Sequence, residues 1–520
     1  MQLAQTVRRS ALLYPDQPAL IEGDVRYSWR EFADRVARLA GGLRGLGLAP
    51  GDRVAMLADN SHRYVEFFFA TFWAGGIAVP INTRWAPPEV RFALDDCGAR
   101  ILIADPAHAE AAASQRADGA RIERLILAAD RDASAAADWL HWEELACSAA
   151  IEDAGRGFED VACLFYTGGT TGRSKGVMLT HANLVTNSLT AMLNMDIRAG
   201  TVHLHVSPMF HVAGGARLFS VTLAGGTHVV IPKFEIEPFL AAIERERVNI
   251  TIIVPTMLNR LMQHPDLERR DLSSLRLLSY GASPMPAALL QRALERLPGV
   301  RFLQSYGMTE LSPVATVLTP EFHTFEGPNA GFTASAGQPV YNADVAIRDP
   351  DGKRLPPGEI GEVCVRGPMV MKGYWNQPEL TAEVLRDGWM HTGDGGYMDE
   401  RGFLYVVDRI KDMIVTGGEN VYSAEVEDAI YAHPAVAECA VIGIPSDQWG
   451  EVVHAEVVLK TGTDVTEAEL LAHCKARIAG FKCPRSIHIH DGELPKSGAG
   501  KILKTELRVP FWRDRQRAVN

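Results

Sequence analysis

The amino-acid sequence predicts an α/β protein: a large N-terminal domain of stacked, mainly parallel α/β subdomains with a small β-barrel-like part, followed by a small α+β C-terminal domain. Helical and strand periodicities alternate over residues 29–104 and again over residues 181–318. Short strands between Gly/Pro turns follow over residues 340–370, and a new set of α and β segments begins after Ile410. Such alternation is typical of right-handed strand–helix–strand units in a parallel sheet covered on both faces.

The elements of the first series follow from their apolar spacing. Helices are expected at Trp29–Gly45, 66–73 and 87–96, and strands at Arg53–Leu57, 77–79 and 100–104. The apolar stretch 67–81 is too short to span a bilayer and is expected to be a buried helix that turns into a core strand. Residues 107–160 are rich in Ala and Asp, have weak periodicity and are expected to form a variable surface excursion.

The later elements complete the two domains. Strands are expected at 227–231, 250–254 and 275–279, followed by antiparallel strands at Asp344–Arg348 and 361–365. After Ile410, helices are expected at 423–432 and 467–479, and strands at 436–444 and 453–459. A boundary near residues 408–411 leaves a C-terminal piece of normal domain size.

Composition narrows the class of partner. The 520 residues include 52 Lys+Arg and 64 Asp+Glu, and this net charge of −12 makes nucleic acid or an anionic membrane an unexpected main partner. We expect no integral membrane segment and no secretory leader. The seven cysteines are scattered without a CxxC pair, which argues against a zinc ribbon and a disulfide framework and favours a cytoplasmic location.

A glycine-rich loop follows the apolar segment 161–166. Residues 167–176 have the sequence TGGTTGRSKG. Glycines let backbone N–H groups approach an anion, hydroxyl groups donate hydrogen bonds, and Lys175 adds positive charge. The loop is not a Walker A motif, which would need glycine at Ser174. The sequence therefore predicts a phosphate-binding loop of another kind.

This loop resembles the phosphate loop of the adenylate-forming superfamily, which contains acyl-CoA synthetases, peptide-synthetase adenylation domains and luciferases. The usual pattern is YTSGTTGxPKG, and here Gly168 replaces Ser and Ser174 replaces Pro. Further matches, in the family's order, extend the resemblance from near residue 10 to near residue 510. The resemblance implies ATP contacts at Thr167, Gly168, Gly169, Thr170, Thr171, Gly172 and Lys175.

Two further segments resemble parts of the family's nucleotide site. Residues 305–310, SYGMTE, resemble the YGxTE motif. The resemblance implies that Tyr306 stacks on adenine, Thr309 contacts phosphate and Glu310 helps to hold Mg²⁺, a hard cation that prefers oxygen ligands. The turn after strand 275–279 resembles the adenine-side loop, and its implied contacts are Gly281, Ala282 and Ser283.

The segments 389–394 and 408–412 resemble the family's WxxTGD motif and its hinge. The resemblance implies that Asp394 accepts ribose hydroxyls, that Arg409 is a second ribose contact and that Lys411 is the pivot. It divides the chain into an adenylation domain (1–408), a hinge (409–411) and a small mobile α+β C-terminal lid domain (412–520). Gly417 and Gly418 resemble the loop that lines the channel for the CoA arm.

The C-terminal segment 494–502, LPKSGAGKI, resembles the family's PKTxxGK motif. The resemblance implies that Lys501 meets the attacking carboxylate and the α-phosphate. His211 stands where amino-acid-adenylating members carry an Asp, as in the acyl- and aryl-CoA ligases. It is expected at the carboxylate or the pantetheine tunnel, with a core histidine as the alternative. The implied catalytic residues are Lys501, Thr309, Glu310 and His211.

The residues after His211 indicate the size and polarity of the pocket for the acid substrate. Ala213, Gly214 and Gly215 are small, and Gly307 leaves space where acetate-specific relatives have Trp, so a roomy apolar acyl pocket is expected. Arg217 would suit a dicarboxylate substrate, but a surface charge is the simpler expectation.

Two histidine pairs are candidate metal ligands. His203 with His205, and His488 with His490, each place two imidazoles on one strand face. No third ligand is spaced nearby in the sequence, so no structural metal is expected.

Together these features predict an ATP-dependent acyl-CoA ligase. It would adenylate an apolar carboxylic acid, either a medium- or long-chain fatty acid or an aryl acid, release pyrophosphate and transfer the acyl group to CoA with release of AMP. Its expected partners are this acid, ATP, Mg²⁺ and CoA, and a homodimer is expected. The alternatives are an adenylating enzyme that loads a separate carrier protein, and a regulatory protein that has lost catalysis.

Overall fold

The computed structural model describes residues 1–133, 138–167, 174–283, 285–410, 412–416, 419–497 and 501–513. Its first helices and strands are α1 (Leu3–Leu13), β1 (Pro18–Glu22), β2 (Val25–Ser28), α2 (Trp29–Gly45), β3 (Arg53–Leu57), α3 (His62–Trp73), β4 (Ile77–Pro80), α4 (Pro87–Cys97), β5 (Ile101–Ala104), α5 (Ala109–Ala117), β6 (Arg124–Leu127), β7 (Trp139–His141), α6 (Trp142–Leu145) and β8 (Val161–Thr167). The second group comprises β9 (Lys175–Thr180), α7 (His181–Met195), β10 (Val202–His205), α8 (Val212–Ala224), β11 (Thr227–Val230), α9 (Ile236–Glu246), β12 (Ile250–Ile253), α10 (Pro255–Met262), β13 (Leu277–Gly281), α11 (Ala287–Arg296), β14 (Arg301–Gly307), β15 (Val314–Leu318) and β16 (Gln338–Pro339).

The third group is β17 (Asp344–Arg348), β18 (Gly361–Arg366), β19 (Gly373–Tyr374), α12 (Pro378–Val384), β20 (Leu385–Arg386), β21 (Trp389–Met398) and β22 (Leu404–Arg409). The C-terminal group is β23 (Ile414–Thr416), β24 (Glu419–Val421), α13 (Ser423–Tyr431), β25 (Val436–Ser446), β26 (Gly450–Leu459), α14 (Glu467–Lys475), β27 (Ser486–His490) and α15 (Lys504–Trp512).

These strands form four sheets, and the predicted α/β class is confirmed. One sheet has the order β16-β15-β14-β13-β12-β10-β11-β1-β2, and a second has the order β19-β9-β8-β4-β3-β5-β6-β7. Neighbouring strands from β14 to β1 pair in parallel, as do those from β8 to β7. The third sheet, β17-β18-β21-β20 with β22 beside β21, is antiparallel. The fourth belongs to the separate C-terminal domain.

Local signals explain why the first predicted elements form where they do. The helix α2 begins after Ser28, whose hydroxyl accepts a hydrogen bond from the backbone N–H of Glu31. In return, the Glu31 carboxylate accepts a hydrogen bond from the backbone N–H of Ser28. This reciprocal cap satisfies two N–H groups that would otherwise lack partners at the start of the helix. Every residue of α3 and β4 is buried, which confirms the predicted buried helix and core strand.

The expected surface excursion at residues 107–160 is wrong. Strands β6 and β7 continue the second sheet in parallel with β5. Leu125, Ile126 and Trp142 are fully buried, and the Trp142 indole donates to Glu66 at 2.8 Å. The runs of apolar residues are only three or four long and lie between Ala-rich stretches, so their periodicity is too short to be detected in a single sequence.

The C-terminal domain is a small α+β unit with its own core. Its sheet has the order β24-β23-β26-β25, with β27 pairing in parallel with β26. Helices α13 and α14 cover one face, and α15 packs against β25. Strand β22 ends at Arg409 and β23 begins at Ile414, so the predicted hinge lies between the third and fourth sheets. Among the described helices, none is long and apolar enough to cross a bilayer.

Candidate active site

The ends of the predicted phosphate loop lie opposite each other. β8 and β9 form an antiparallel pair in which Thr167 is the partner of Lys175. The Lys175 ammonium lies 5.3 Å from the centre of the Tyr374 ring. The predicted contacts Gly168, Gly169, Thr170, Thr171 and Gly172 lie outside the described residues. The structure therefore gives the two strands of a β-hairpin, β8 and β9, on either side of the glycine-rich segment, with Lys175 as the first residue of β9.

Glu310 is held beside this hairpin. It lies in a short 3₁₀ helix, Thr309–Leu311, and is only 6% exposed. Tyr374 donates its hydroxyl hydrogen bond to Glu310 Oε1 at 2.8 Å. Burial, reinforced by the charge of Glu310, raises the pKa of Tyr374, which keeps the hydroxyl a donor. Thr309 is the first residue of the same 3₁₀ helix.

Tyr374 was not predicted from the sequence. It lies on β19, which pairs with β9 immediately after the phosphate loop, and so connects Lys175 to Glu310. The only local signal is a Gly-Tyr pair within the segment MKGYWN, a composition that fits many turns.

Asp394, Arg409 and Tyr306 form one connected group. Asp394 and Arg409 are directly paired across β21 and β22. Arg409 Nε lies 2.6 Å from Asp394 Oδ1, and the Tyr306 hydroxyl donates to Asp394 Oδ2 at 2.6 Å. Burial acts to lower the pKa of Arg409, but the charges of Asp394 and its neighbours more than offset this and raise it. Burial raises the pKa of Tyr306 far above its usual range, and the Asp394 carboxylate adds to the effect.

Lys501, from the C-terminal domain, approaches this group. The pKa of Lys501 is lowered, first because its ammonium is surrounded by protein and second because Arg409 repels it; Asp394 and Glu310 act in the opposite direction. The residue as a whole keeps contact with solvent. Nearby, Arg84 donates to the backbone oxygen of Ser497 at 3.4 Å, a contact between the two domains. The structure thus brings Lys501 into electrostatic range of Glu310, Asp394 and Arg409.

The predicted adenine-side turn follows β13. Gly281 is paired with Ser305 of β14, and a Cβ at Gly281 would lie 2.3 Å from the Ser305 backbone oxygen, so only glycine fits. Ala282 has a positive φ of 69°, an uncommon conformation for a residue with a side chain. Ser283 completes the described part of this turn. The chain at this point is bent sharply against the strand that carries Tyr306.

His211 precedes the first residue of α8 and is half-buried. Its ring packs on Phe210 at 4.6 Å between ring centres. A Cβ on Gly214 would lie 2.4 Å from the Pro208 oxygen, and one on Gly215 would lie 2.8 Å from the Met209 oxygen. These two glycines let α8 approach the preceding loop, so they cannot be counted as space for the acid. The acyl pocket remains a prediction.

The expectation of a surface charge at Arg217 is wrong. Arg217 lies in α8 and is only 3% exposed. Among the described residues its Nε has no hydrogen-bond partner and no carboxylate forms an ion pair with it. Burial lowers its pKa to about 10. A buried charge without a counter-ion costs free energy, so the position of Arg217 is unfavourable unless a ligand pairs with it.

Three buried histidines accompany Arg217. His205 Nε2 lies 2.9 Å from His228 Nδ1, and His228 Nε2 lies 2.9 Å from Thr222 Oγ1. Burial, with a smaller effect of the Arg217 charge, lowers the pKa of His203 to about 3. These imidazoles are therefore neutral, and none of them compensates the guanidinium.

The remaining predicted residues flank the interdomain segment. Lys411, Gly417 and Gly418 lie outside the described residues. On either side of Lys411, the Asp408 carboxylate accepts a hydrogen bond from the Ser423 backbone at 2.7 Å, and Asp412 is paired with Arg508. Both contacts tie the interdomain segment to the C-terminal domain.

Comparisons with known proteins identify the family of the chain. The profile of the family described as AMP-binding enzyme matches residues 7–375, and that of the AMP-binding enzyme C-terminal domain matches residues 425–501. A feruloyl-CoA synthase from Amycolatopsis is 44% identical, with 97% of this chain and 98% of that protein covered. The fatty acid–[acyl-carrier-protein] ligase ScoC from Streptomyces coeruleorubidus is 35% identical, with 100% of this chain and 98% of that protein covered.

A solved structure gives the same result at the level of the fold. It is o-succinylbenzoate CoA synthetase (MenE) from Bacillus subtilis in complex with its acyl-adenylate intermediate. The two chains superimpose with a TM-score of 0.85 at 33% identity, covering 98% of each. The chain therefore belongs to the AMP-binding enzyme family of the adenylate-forming superfamily, and it is an ATP-dependent, AMP-forming acyl-CoA ligase.

Proposed function

We propose that Lys501, Arg409 and the base of the phosphate loop carry out the first half-reaction together. A carboxylate oxygen attacks the α-phosphorus of ATP, the bond to the β-phosphate oxygen breaks, and pyrophosphate leaves. Negative charge accumulates on the phosphoryl oxygens, and fixed cations at that point stabilise the transition state. The assignment is supported by the contact of the lysine segment with the large domain, where Arg84 donates to the Ser497 oxygen at 3.4 Å, and by the effect of the Arg409, Asp394 and Glu310 charges on the Lys501 ammonium.

Glu310 is the proposed ligand for Mg²⁺. Its carboxylate is an oxygen donor of the type that this cation prefers, and Tyr374 fixes one of its oxygens. When bound, the cation would supply positive charge to the phosphates of ATP. Glu310 would hold the cation, and Lys175, on the other side of Tyr374, would add a second positive charge to the phosphates.

In the second half-reaction, the CoA thiol must reach the acyl group in the same site. The CoA sulfur attacks the acyl carbon, the carbon–oxygen bond to AMP breaks, and the thiol proton is released. We propose that the C-terminal domain rotates about Lys411 between the half-reactions, so that the loop with Gly417 and Gly418 lines the thiol channel. Such rotation is a hinge motion, in which a few residues absorb the backbone change.

The hinge is tested by Lys411→Pro. Proline fixes φ and should hinder the rotation, so acid-dependent ATP–pyrophosphate exchange and CoA transfer from supplied acyl-adenylate should fall by different factors. The matched control is Lys411→Ala, which removes the same charge without fixing φ. Equal activity of Lys411→Pro and the unmodified enzyme in both half-reactions would remove the hinge from the mechanism.

The acid is proposed to be an aryl acid with an oxygen at its far end. The 44% identity to a feruloyl-CoA synthase supports an aromatic acid. Arg217 lies in α8, the helix that begins directly after His211, and it is buried there. The buried guanidinium of Arg217, whose Nε has no hydrogen-bond partner among the described residues, would then donate to the ring oxygen. A second carboxylate in that position is the alternative that Arg217 leaves open.

This assignment is tested with a panel of acids. Ferulate should release AMP in the presence of CoA with a higher kcat/KM than cinnamate, which lacks the ring oxygens. Arg217→Leu should reduce kcat/KM for ferulate by about 10- to 100-fold, the range for a hydrogen bond to a charged group, and leave cinnamate nearly unchanged. Arg198→Leu, at an exposed position, is the control.

The results with this panel test separately the role of Arg217, the class of acid and the acyl acceptor. If AMP is released with aryl acids but Arg217→Leu affects ferulate and cinnamate equally, the role of Arg217 is wrong while the ligase remains. If fatty acids or dicarboxylates are preferred, the aryl acid is wrong. AMP release that depends on a carrier protein rather than CoA would favour the carrier-loading alternative, as in the relative ScoC.

The homodimer and the cytoplasmic location also stay proposals. All seven cysteines are free, and all but Cys147 are buried, which suits a reducing compartment.

A further inference from the structure

A compact histidine–carboxylate cluster lies on the C-terminal domain, outside the active site. Glu456 of β26 is 4% exposed, and its Oε2 lies 2.8 Å from His488 Nδ1 and 2.6 Å from His490 Nε2. β26 and β27 are parallel neighbours, and Glu456 is directly opposite His488. The third ligand that the sequence did not reveal therefore comes from the adjacent strand, and the ligand atoms of all three residues lie within 4.8 Å of one another.

The carboxylate of this cluster is oriented by its surroundings. His454 Nε2 lies 3.3 Å from Glu456 Oε1, and His454 Nδ1 lies 2.7 Å from Ser486 Oγ. Hydrogen bonds of this kind fix ligating groups in many metal sites. One oxygen of Glu456 is thus positioned by His454, while the other faces His488 and His490.

A second cluster of potential metal ligands differs from the first because an arginine contacts it. Glu362, Cys364 and His391 also lie close together. There, however, Arg386 Nη2 lies 2.6 Å from His391 Nδ1 and 3.5 Å from Glu362 Oε2, so a cation already occupies the surroundings. In the described part of the chain, no lysine or arginine is ion-paired with Glu456, and the side chains that contact its carboxylate are imidazoles alone.

We propose that Glu456, His488 and His490 form a binding site for one divalent transition-metal ion of the Zn²⁺ type. Two imidazole nitrogens and one carboxylate oxygen are a donor set that suits Zn²⁺, Co²⁺, Ni²⁺ or Cu²⁺ and does not suit Mg²⁺ or Ca²⁺. Because His488 is exposed, a fourth position is open to solvent. This site is distinct from the magnesium ligand proposed at Glu310.

The position of the cluster gives such an ion a structural consequence. Among the described strands, β27 pairs only with β26, and the chain continues from β27 to Lys501 and α15. A metal held by Glu456 and the two histidines would cross-link β26 to β27 and so fix the strand that leads into the lysine segment. Binding to the folded state alone would raise the apparent stability of this domain.

The proposal is tested on the untagged full-length protein after removal of metals by a chelator. Titration with Co²⁺, followed by its visible absorption, should show one tight equivalent, and Zn²⁺ should displace it whereas Mg²⁺ should not. Glu456→Gln and His490→Ala should weaken Zn²⁺ binding by about 10-fold or more. His108→Ala removes an imidazole paired with Asp105 at 2.6 Å in the N-terminal domain and should bind as the unmodified protein does.

A variant at an exposed position keeps the proposal testable even if another variant fails to fold. His488→Ala changes an exposed side chain, and its folding can be checked by circular dichroism before titration. The proposal is overturned if the unmodified protein binds no stoichiometric Co²⁺ or Zn²⁺. It is equally overturned if the folded His488→Ala variant binds them with unchanged affinity, since the ion would then sit elsewhere.

Discussion

Lys501→Ala is expected to reduce acid-dependent ATP–pyrophosphate exchange by about 100- to 1000-fold, the range for removal of one preorganised group that stabilises transition-state charge. CoA transfer from a supplied acyl-adenylate should fall far less. The reason is that the charges of Arg409, Asp394 and Glu310 act on the Lys501 ammonium, and the phosphates are proposed to lie in the same region. Each half-reaction is measured separately, with labelled pyrophosphate for the first and thioester formation for the second.

The matched control for this charge is Lys475→Ala. Lys475 ends α14 in the same domain and is exposed, so its loss should change neither half-reaction. If Lys501→Ala lowers both half-reactions by the same factor, Lys501 supports the domain rather than the phosphoryl transfer. Because the residue retains solvent contact, the substitution should leave the free energy of unfolding almost unchanged.

Asp394→Ala is expected to raise the KM for ATP by at least about 10-fold and to destabilise the protein. The substitution removes the proposed acceptor for the ribose hydroxyls. It also leaves the buried Tyr306 hydroxyl without the acceptor it has at 2.6 Å, at a cost of about 1–3 kcal/mol. The ion pair with Arg409 contributes less to stability, since the Arg409 side chain is 39% exposed and screened by solvent.

Steady-state kinetics and denaturant unfolding together check this prediction. Glu400→Ala removes an exposed carboxylate from the turn between β21 and β22 and should leave both measurements unchanged. A variant at Asp394 with normal KM for ATP would exclude the ribose contact. A variant with raised KM but unchanged stability would mean that another group or water satisfies the Tyr306 hydroxyl.

Elements with long periodicity and strong caps could be predicted from the sequence. The bounds of α2 agree with the expected helix because Ser28 and Glu31 cap it and its apolar residues recur at helical spacing. The strands β3 and β17 also begin and end where expected. In these cases the local signal and the tertiary structure favour the same conformation.

Features that depend on which elements become neighbours could not be predicted. Arg217 is buried because its face of α8 meets other elements, and no local pattern around an arginine reports this. The contact of Glu456 with His488 joins residues 32 positions apart through parallel pairing. Tyr374 meets Glu310 across 64 positions because β19 pairs with β9, which contacts the 3₁₀ helix of Glu310. A motif gives the residue types of a site, whereas these partners come from strand order.

The ion pair between Asp394 and Arg409 joins the proposed ribose acceptor to a residue of the proposed hinge. Arg409 is the last residue of β22, two positions before the proposed pivot, yet its side chain is anchored on Asp394 in the large domain. If ribose hydroxyls engage Asp394, the nucleotide and the lid act on the same carboxylate, and their binding free energies become coupled. By thermodynamic reciprocity, whatever shifts the lid must alter the affinity for AMP, so product escape and reopening would be one linked event.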